Sequence, residues 1–216
     1  MIKNIKRVIL LGPQGSGKST QAVVIAKFLK IKEVSSGHIL RQALRSRGAL
    51  GRELKTYITP GRLVPDPFVI KIVVEKLYSR SFKKGFLLDG FPRNLHQAKV
   101  LDKSFTIDGV FNLDISDAEA MRRLSGRLVC RRGHIWHIRH HPPRKKSICD
   151  FCGLPLYVRA DDQGQAIAKR LSIYRKHTAQ LLGYYKKQKK LVVFDGEQPI
   201  KKISRDIIKY LRQNAG

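Results

Sequence analysis

Four groups of residues have the types and spacing to do chemistry. Gly12-Pro13-Gln14-Gly15-Ser16-Gly17-Lys18-Ser19 fits the pattern G-x-x-x-x-G-K-[ST]. Its glycines let consecutive backbone N–H groups turn onto a phosphate with no Cβ in the way, and a helix that follows aims its positive end at the same anion. Lys18 then reaches the β/γ-phosphates and Ser19 is placed to ligate Mg²⁺. Asp89, ending an apolar run, has the placement of an acidic group that orients Mg²⁺ through water; taken alone it is as well read as a turn residue before Gly90. The third group is arginine. Arg123 and Arg127 are four apart, which on a helix is one face. Arg159 and Arg170 flank Asp161-Asp162, a pattern that would hinge the preceding segment and hold it by ion pairs. Forked guanidinium donors match phosphate oxygens.

The fourth group is a Cys/His cluster. Cys149-Asp150-Phe151-Cys152 is a C-x₂-C knuckle, with Cys130 upstream, and all three cysteines of the chain fall in this one segment. Three thiolates need a fourth ligand for a closed structural Zn²⁺ site. His134 is the first choice and His137 the second, although His137 would serve equally as a hydrogen-bonded histidine behind Trp136; His140 and His141 read as solvated. The competing reading is three buried or free thiols in a segment held by packing alone.

These groups need elements to position them. Val8–Leu11 is a buried strand leading into the glycine loop, and Thr20–Lys30 is a helix leaving it. Gly85–Leu88 into Asp89, Val110–Ile115 and Leu191–Phe194 read as three further buried strands. Ile39, Leu40, Ala43 and Leu44 show helical spacing, as do the apolar residues of Phe68–Tyr78. One long helix carries Ile167, Leu171, Tyr174, Leu181 and Tyr185, and a last one Ile203, Ile207 and Leu211. Strands alternating with helices imply a parallel sheet covered on both faces. Between Gly126 and Asp162 the sequence is rich in His, Pro, Cys and Arg and poor in periodicity, so it reads as an insertion.

With 216 residues the chain is long enough for one domain plus a small insertion and a proper core. Its longest apolar run, Ala22–Ala26, is far below the roughly 20 residues of a membrane span, which excludes a helical membrane protein. An odd number of cysteines and no export signal point to a reducing cytoplasm. The net charge of +28, from 44 Lys+Arg against 16 Asp+Glu, calls for an anionic partner or a heavily solvated surface. From Ala120 to Cys149 there is no Asp or Glu, whereas Lys186, Lys187, Lys189 and Lys190 read as an ordinary solvated helix end. A nucleic-acid-binding module is the rival to a polyphosphate-binding enzyme. It is not favoured, because no aromatic-interleaved stacking platform is visible.

In order and spacing, Gly12–Thr20, Ser35-Ser36-Gly37, Gly61-Arg62-Leu63-Val64-Pro65-Asp66, Asp89-Gly90-Phe91-Pro92-Arg93 with Gln97, Arg123 with Arg127, Arg159-Ala160-Asp161-Asp162, Arg170, Gly183-Tyr184-Tyr185 and Asp195-Gly196 resemble the adenylate kinase family across nearly the whole chain. The cysteine-bearing insertion is similar to the family's long, zinc-bearing lid. The resemblance implies a P-loop three-layer α/β/α fold with a central parallel sheet. It divides the chain into a core of residues 1–34, 65–125 and 163–216, a small helical AMP-binding insertion at 35–64 and a lid at 126–162. It implies transfer of the ATP γ-phosphoryl group to AMP with Mg²⁺, with ATP, AMP and ADP as partners, no membrane, and a cytoplasmic monomer.

By the same resemblance Gly15, Ser16, Gly17, Lys18, Ser19, Thr20, Arg123, Arg127, Ile135, Trp136 and the backbone of Gln198 form the ATP side. Ser36, Arg41, Arg62, Leu63, Val64, Gly90, Phe91, Pro92, Arg93, Gln97, Arg159 and Arg170 form the AMP side, with Gln97 reading the adenine edge. Lys18, Arg93, Arg127, Arg159 and Arg170 are the expected catalytic set; Ser19 and Asp89 would act on Mg²⁺, and Cys130, His134, Cys149 and Cys152 on Zn²⁺. The chain departs from the family pattern at His38, which replaces an Asp, at Leu128, which replaces a second arginine, and at Gly133, which replaces a second cysteine.

Overall fold

The computed structural model describes residues 5–45, 52, 64–159 and 162–214, except for the side chains of Arg41, Leu44 and Arg45. Five parallel strands, β1 (Arg7–Leu11), β2 (Lys32–Ser35), β3 (Phe86–Asp89), β4 (Gly109–Asp114) and β8 (Leu191–Asp195), form one sheet in the order β2-β3-β1-β4-β8. Alternate residues of β1 serve opposite apolar layers. Ile9 and Leu11 pack with Val73, Leu101 and Tyr185, whereas Val8 and Leu10 pack with Ala22, Ile25 and Ile207. Both faces are buried, so Val8–Leu11 is an unbroken apolar run instead of an alternating one.

The helices of the two layers are α1 (Lys18–Leu29), α2 (Ser36–Arg45), α3 (Asp66–Tyr78), α4 (Leu95–Ser104), α5 (Asp117–Ser125), α6 (Gly164–Ile173), α7 (Gln180–Lys187) and α8 (Ile200–Asn214). Asn94 caps α4 by accepting the N–H of Gln97, and Ser116 caps α5 by accepting that of Glu119. Among the described residues no helix is long and apolar enough to cross a membrane.

Three local expectations are corrected. Lys32–Ser35, read only as the approach to a turn, is a fifth strand, and Ser36-Gly37 opens α2 directly. Only Val34 of this edge strand is buried, so it lacks the apolar run that marks the central strands. The long helix expected around Ile167–Tyr185 is interrupted at Tyr174–Thr178 by a wider π-type turn, where Thr178 Oγ1 donates to the carbonyl of Arg93 at 2.8 Å. Arg123 and Arg127 do not share a helix face. The helix stops at Ser125 with Gly126 as its cap, and Arg127 opens a strand. A Cβ at Gly126 would stand 2.5 Å from His137 Nε2, so close approach of the insertion ends the helix there.

The aperiodic insertion holds a small antiparallel sheet, β6-β5-β7, from β5 (Arg127–Cys130), β6 (Ile135–His137) and β7 (Leu156–Tyr157). Among the described residues its core is Cys130, Trp136, Cys149 and Leu156, with Leu128, Cys152 and Leu154 against them.

Candidate active site and metal centre

The C-terminal ends of β1 and β3 meet where the chain order reverses, the usual place for a ligand crevice in such a sheet. A cleft of about 760 Å³ opens there, lined by the glycine loop, Asp89, Arg93, Arg123, Arg127, Arg159, Arg170 and the turn before α8. The glycine loop is forced on the chain by space. Gly12 has φ +138°, and a Cβ on it would lie 2.5 Å from the carbonyl oxygen of Leu113.

Lys18 curls back over this loop, donating to the carbonyls of Gly12 and Pro13, each at 2.7 Å. Burial is the main cause that lowers its pKa, from 10.5 to about 8. Asp89 opposes the shift, and Arg93, Arg127 and Arg170 add to it. Those three arginines therefore converge on the lysine although they come from a loop, a strand and a helix. Ser19 Oγ donates to Asp89 Oδ2 at 2.9 Å, which brings together the two groups expected to act on Mg²⁺. Deeper on the same face of the sheet, Glu33 is pushed from 4.5 to about 7 by burial and by Asp89.

Asp162 organises the arginines. Its side chain is fully buried and takes both Arg127 (Nε–Oδ2 2.7 Å, and a second bond from Nη2 to Oδ1) and Arg170 Nη1 at 2.9 Å. Arg123 instead pairs with Glu119, which also binds Arg122; the hydrogen bonds from Arg122 lead in holding the Glu119 carboxyl down at about 2.

On the other wall, Ser36 is buried and donates to the carbonyl of Gly90 at 2.7 Å, and Arg93 Nε donates to the same oxygen at 2.9 Å. Gly90 has φ +79°, and a Cβ there would meet Ser36 Oγ at 2.8 Å. Gln97 accepts from the N–H of Arg93 and donates to Asp66 Oδ1, each at 2.7 Å, so here its amide braces the Arg93 turn. Phe91 is fully buried in the main core, and Pro92 lines the cleft. Val64 packs against that core. Arg62, Leu63 and the side chain of Arg41 lie outside the described residues. Ile135, Trp136 and Gln198 reach the cleft wall, but Trp136 is only 3 % exposed and belongs mainly to the core of the insertion.

The structure assembles the Cys/His cluster. One ligand atom each from Cys130, His134, Cys149 and Cys152 lies within 4.8 Å of every other. His134 Nδ1 is 3.4 Å from Cys130 Sγ and 3.3 Å from Cys149 Sγ, and Cys152 Sγ is 3.7 Å from Cys130 Sγ. A tetrahedral site with Zn–S near 2.3 Å has ligand–ligand edges of roughly 3.7 Å, so these four residues fit Zn²⁺. Burial alone would raise the Cys149 thiol. Hydrogen bonds from the Trp136 indole and the backbone N–H groups of Phe151 and Cys152 outweigh that and bring it to about 6, toward the thiolate a metal requires. His137 stands apart from the group; its Nδ1 accepts the N–H groups of Arg139 and His140. His140 and His141 are exposed, as expected, although His141 also stacks on Trp136 at 4.5 Å and His140 lies 3.0 Å from Arg122.

With the geometry in place, the comparisons with known proteins decide the family. The family model described as adenylate kinase matches residues 10–190. The chain is 41 % identical over 213 residues to an adenylate kinase of Methanocella arvoryzae, covering 96 % of this chain and 99 % of that one. The chain belongs to the adenylate kinase family. It is also 43 % identical over 211 residues to an adenylate kinase of Thermoanaerobacter pseudethanolicus, covering 95 % and 97 % of the two chains. A third adenylate kinase, from Methanothrix thermoacetophila, is 42 % identical over 209 residues, covering 94 % and 97 %.

Four residues that line or brace the adenylate kinase cleft were given no role in the sequence reading. Glu119 was legible, since it precedes Arg122 and Arg123 by three and four residues on one helix. Asp66, which holds Gln97 and Asn94, and Thr178, which holds the Arg93 carbonyl, act across 31 and 85 residues of chain and left no local signal. Glu33 sits on an edge strand too polar to be read as a strand.

Proposed function

We propose that Lys18, Arg93, Arg127, Arg159 and Arg170 carry the phosphoryl transfer of this adenylate kinase, in which ATP and AMP give two ADP. The observation that supports this reading is the convergence of Arg93, Arg127 and Arg170 on a half-buried Lys18 at the mouth of the glycine loop. Phosphoryl transfer needs little covalent help, so positioning and charge stabilisation supply the rate. The N–H groups of Gly15 to Thr20 cradle the ATP phosphates, and Lys18 leaves the carbonyls of Gly12 and Pro13 for a phosphate oxygen. Arg123 and the backbone of Gln198 flank the base. Arg93 and Arg41 hold the AMP phosphate, with Ser36 and Gly90 shaping that wall. Arg127 and Arg170, bridged by the carboxylate of Asp162, turn their remaining donors to the transferring group. Mg²⁺, when bound, neutralises charge shared by the β- and γ-phosphates, and Ser19 and Asp89 are the residues that would hold it. Zn²⁺ on Cys130, His134, Cys149 and Cys152 supplies no reaction chemistry; it closes a segment with almost no core of its own.

In the same reading residues 35–64 are the AMP-binding part, 126–162 the lid, and 1–34, 65–125 and 163–216 the core. The lid excludes water from the ATP side. The enzyme works as a monomer in the cytoplasm: one chain supplies every group of the cleft, and three thiols gathered for a metal suit a reducing compartment. A coupled assay of ATP with AMP, CMP, UMP and GMP tests the assignment. AMP should be strongly preferred, and failure on every acceptor would overturn it.

A further inference from the structure

Charge is the property of this chain that nucleotide chemistry leaves over. Eight cations are assigned to the cleft, out of 44 set against 16 carboxylates. Much of the surplus stands on the outside of the lid. Arg131, Arg132, Arg139, Arg144, Lys145 and Lys146 are all exposed, and the segment between Arg127 and Arg159 contains one carboxylate, Asp150. Both oxygens of Asp150 accept the backbone N–H of Arg144 at 3.1 Å, so this carboxylate is used to fold the loop. Like charges gathered on a module with so small a core repel one another, which costs stability unless an anion is recruited.

A second, independent feature lies among these cations. Phe151, between the ligands Cys149 and Cys152, is 69 % exposed. Its ring is backed by His134 at 5.2 Å and Trp136 at 5.4 Å, so it is a firm flat platform and not a loose side chain. Arg131 and Arg132 form the turn that carries His134 against one side of it. The loop from Arg144 to Lys146 is tied to Asp150, the residue before Phe151 in the chain. Guanidinium forks around a rigid exposed ring match a chain that alternates phosphates with bases, because phosphate contacts give affinity and every base has a face to stack. An anionic bilayer would attract the same cations but would gain nothing specific from a single flat ring, and the described residues of the lid offer no amphipathic helix to insert into it.

We propose that the outer face of the zinc-stapled lid binds single-stranded nucleic acid, stacking bases on Phe151 and holding phosphates with Arg131, Arg132, Arg144, Lys145 and Lys146. None of these residues lines the nucleotide cleft, so the surface would add a second class of ligand to the nucleotides. The test is anisotropy of a fluorescein-labelled single-stranded oligo(U) 20-mer with the full-length, zinc-loaded protein, titrated over salt. Binding in the micromolar range that weakens steeply with salt is expected. The triple variant Arg144→Glu/Lys145→Glu/Lys146→Glu should bind about tenfold or more weakly and lower the log–log salt slope by about two. It should keep its zinc and its kinetic constants for ATP and AMP. Phe151→Leu should lose about tenfold in affinity at unchanged salt slope, whereas Phe151→Trp should keep it and show quenched indole emission. Wild-type binding by the triple variant would place the anion elsewhere and overturn the proposal. So would equal affinity for a duplex 20-mer or for phosphatidylserine vesicles with no contribution from Phe151, since that is attraction to any polyanion.

Discussion

Lys18 is the residue on which most of the cleft's electrostatics falls, and its substitution separates function from stability. Lys18→Ala, or Arg93→Ala, should lower turnover by about 10³–10⁵, the worth of a comparable cation at a transferring phosphoryl group. Thermal unfolding should change little, because neither side chain fills the core; near-normal turnover in a steady-state assay would refute the site assignment. The depressed pKa of Lys18 also makes a pH prediction. Only the protonated amine attracts phosphate, so kcat/KM for ATP should fall as pH rises through about 8. In the apoprotein the same burial has the opposite sign for stability. Between pH 8 and 10.5 the unfolded chain holds the Lys18 proton and the folded one does not, so this group's contribution grows more favourable with rising pH. Glu33 works the other way. Its folded pKa of about 7 exceeds the ordinary 4.5, so the folded state binds the extra proton and stability falls as pH rises from 4.5 to 7. Midpoint temperature measured against pH should show that fall, and Glu33→Gln should flatten it.

At the scale of elements, one set of ion pairs ties the insertion to the core and one cluster of side chains keeps it folded. Asp162 joins β5 to α6 through Arg127 and Arg170, whose side chains keep 16 % and 24 % of their exposure while Asp162 keeps none. Removing one partner of a buried ion pair costs about 3–5 kcal/mol, and the partial exposure of the arginines favours the lower end. Asp162→Asn should therefore lower the midpoint of thermal unfolding by roughly 10 °C, at about 2–4 °C per kcal/mol for a chain this long. An unchanged midpoint would mean that the insertion is held by other contacts. The metal centre acts inside the insertion, since all four ligands belong to it. Elemental analysis should find about one zinc per chain, and chelation should melt the small sheet ahead of the large one. His134→Ala should release the metal more readily than His137→Ala, because only His134 points a nitrogen at the thiols.

Across the whole molecule, the Cys/His-bearing insertion comes close to the start of α2. A Cβ at Gly133, in the knuckle turn, would lie 3.7 Å from His38 Nδ1 on α2, so the histidine that replaces the family's aspartate meets the lid at its metal-bearing end. Lid closure is a known behaviour of the adenylate kinase family. On the domain division proposed above, closure here would be driven by a phosphate that competes with Asp162 for Arg127. Distance labels on Lys145 and on the exposed face of α4 should move closer with a bisubstrate analogue, and an unchanged distance would remove closure from the mechanism.

What the sequence determined by itself is whatever is encoded by neighbours along the chain. The glycine loop between Leu11 and α1 was legible because φ at Gly12 and Gly17, and the lysine after them, are set within a few residues. The central strands were legible because burial on both faces writes an unbroken apolar run, and the Cys/His centre because Cys130, His134, Cys149 and Cys152 fall within 23 residues. Only the tertiary structure decided the rest. Arg127 lies on a strand because Gly126 must pass against His137, a contact no helical periodicity contains. Gln97 is committed to Asp66, and Thr178 to the carbonyl of Arg93, through hydrogen bonds that exist only once the sheet has brought distant loops together. Asp162 could be placed beside Arg170 from spacing alone, but its choice of Arg127 as second partner spans 35 residues of aperiodic chain. Local propensity and burial repeat along a sequence and can be read there. A buried polar pairing is chosen among many near-equal partners by packing, so it is decided only when the whole chain is folded.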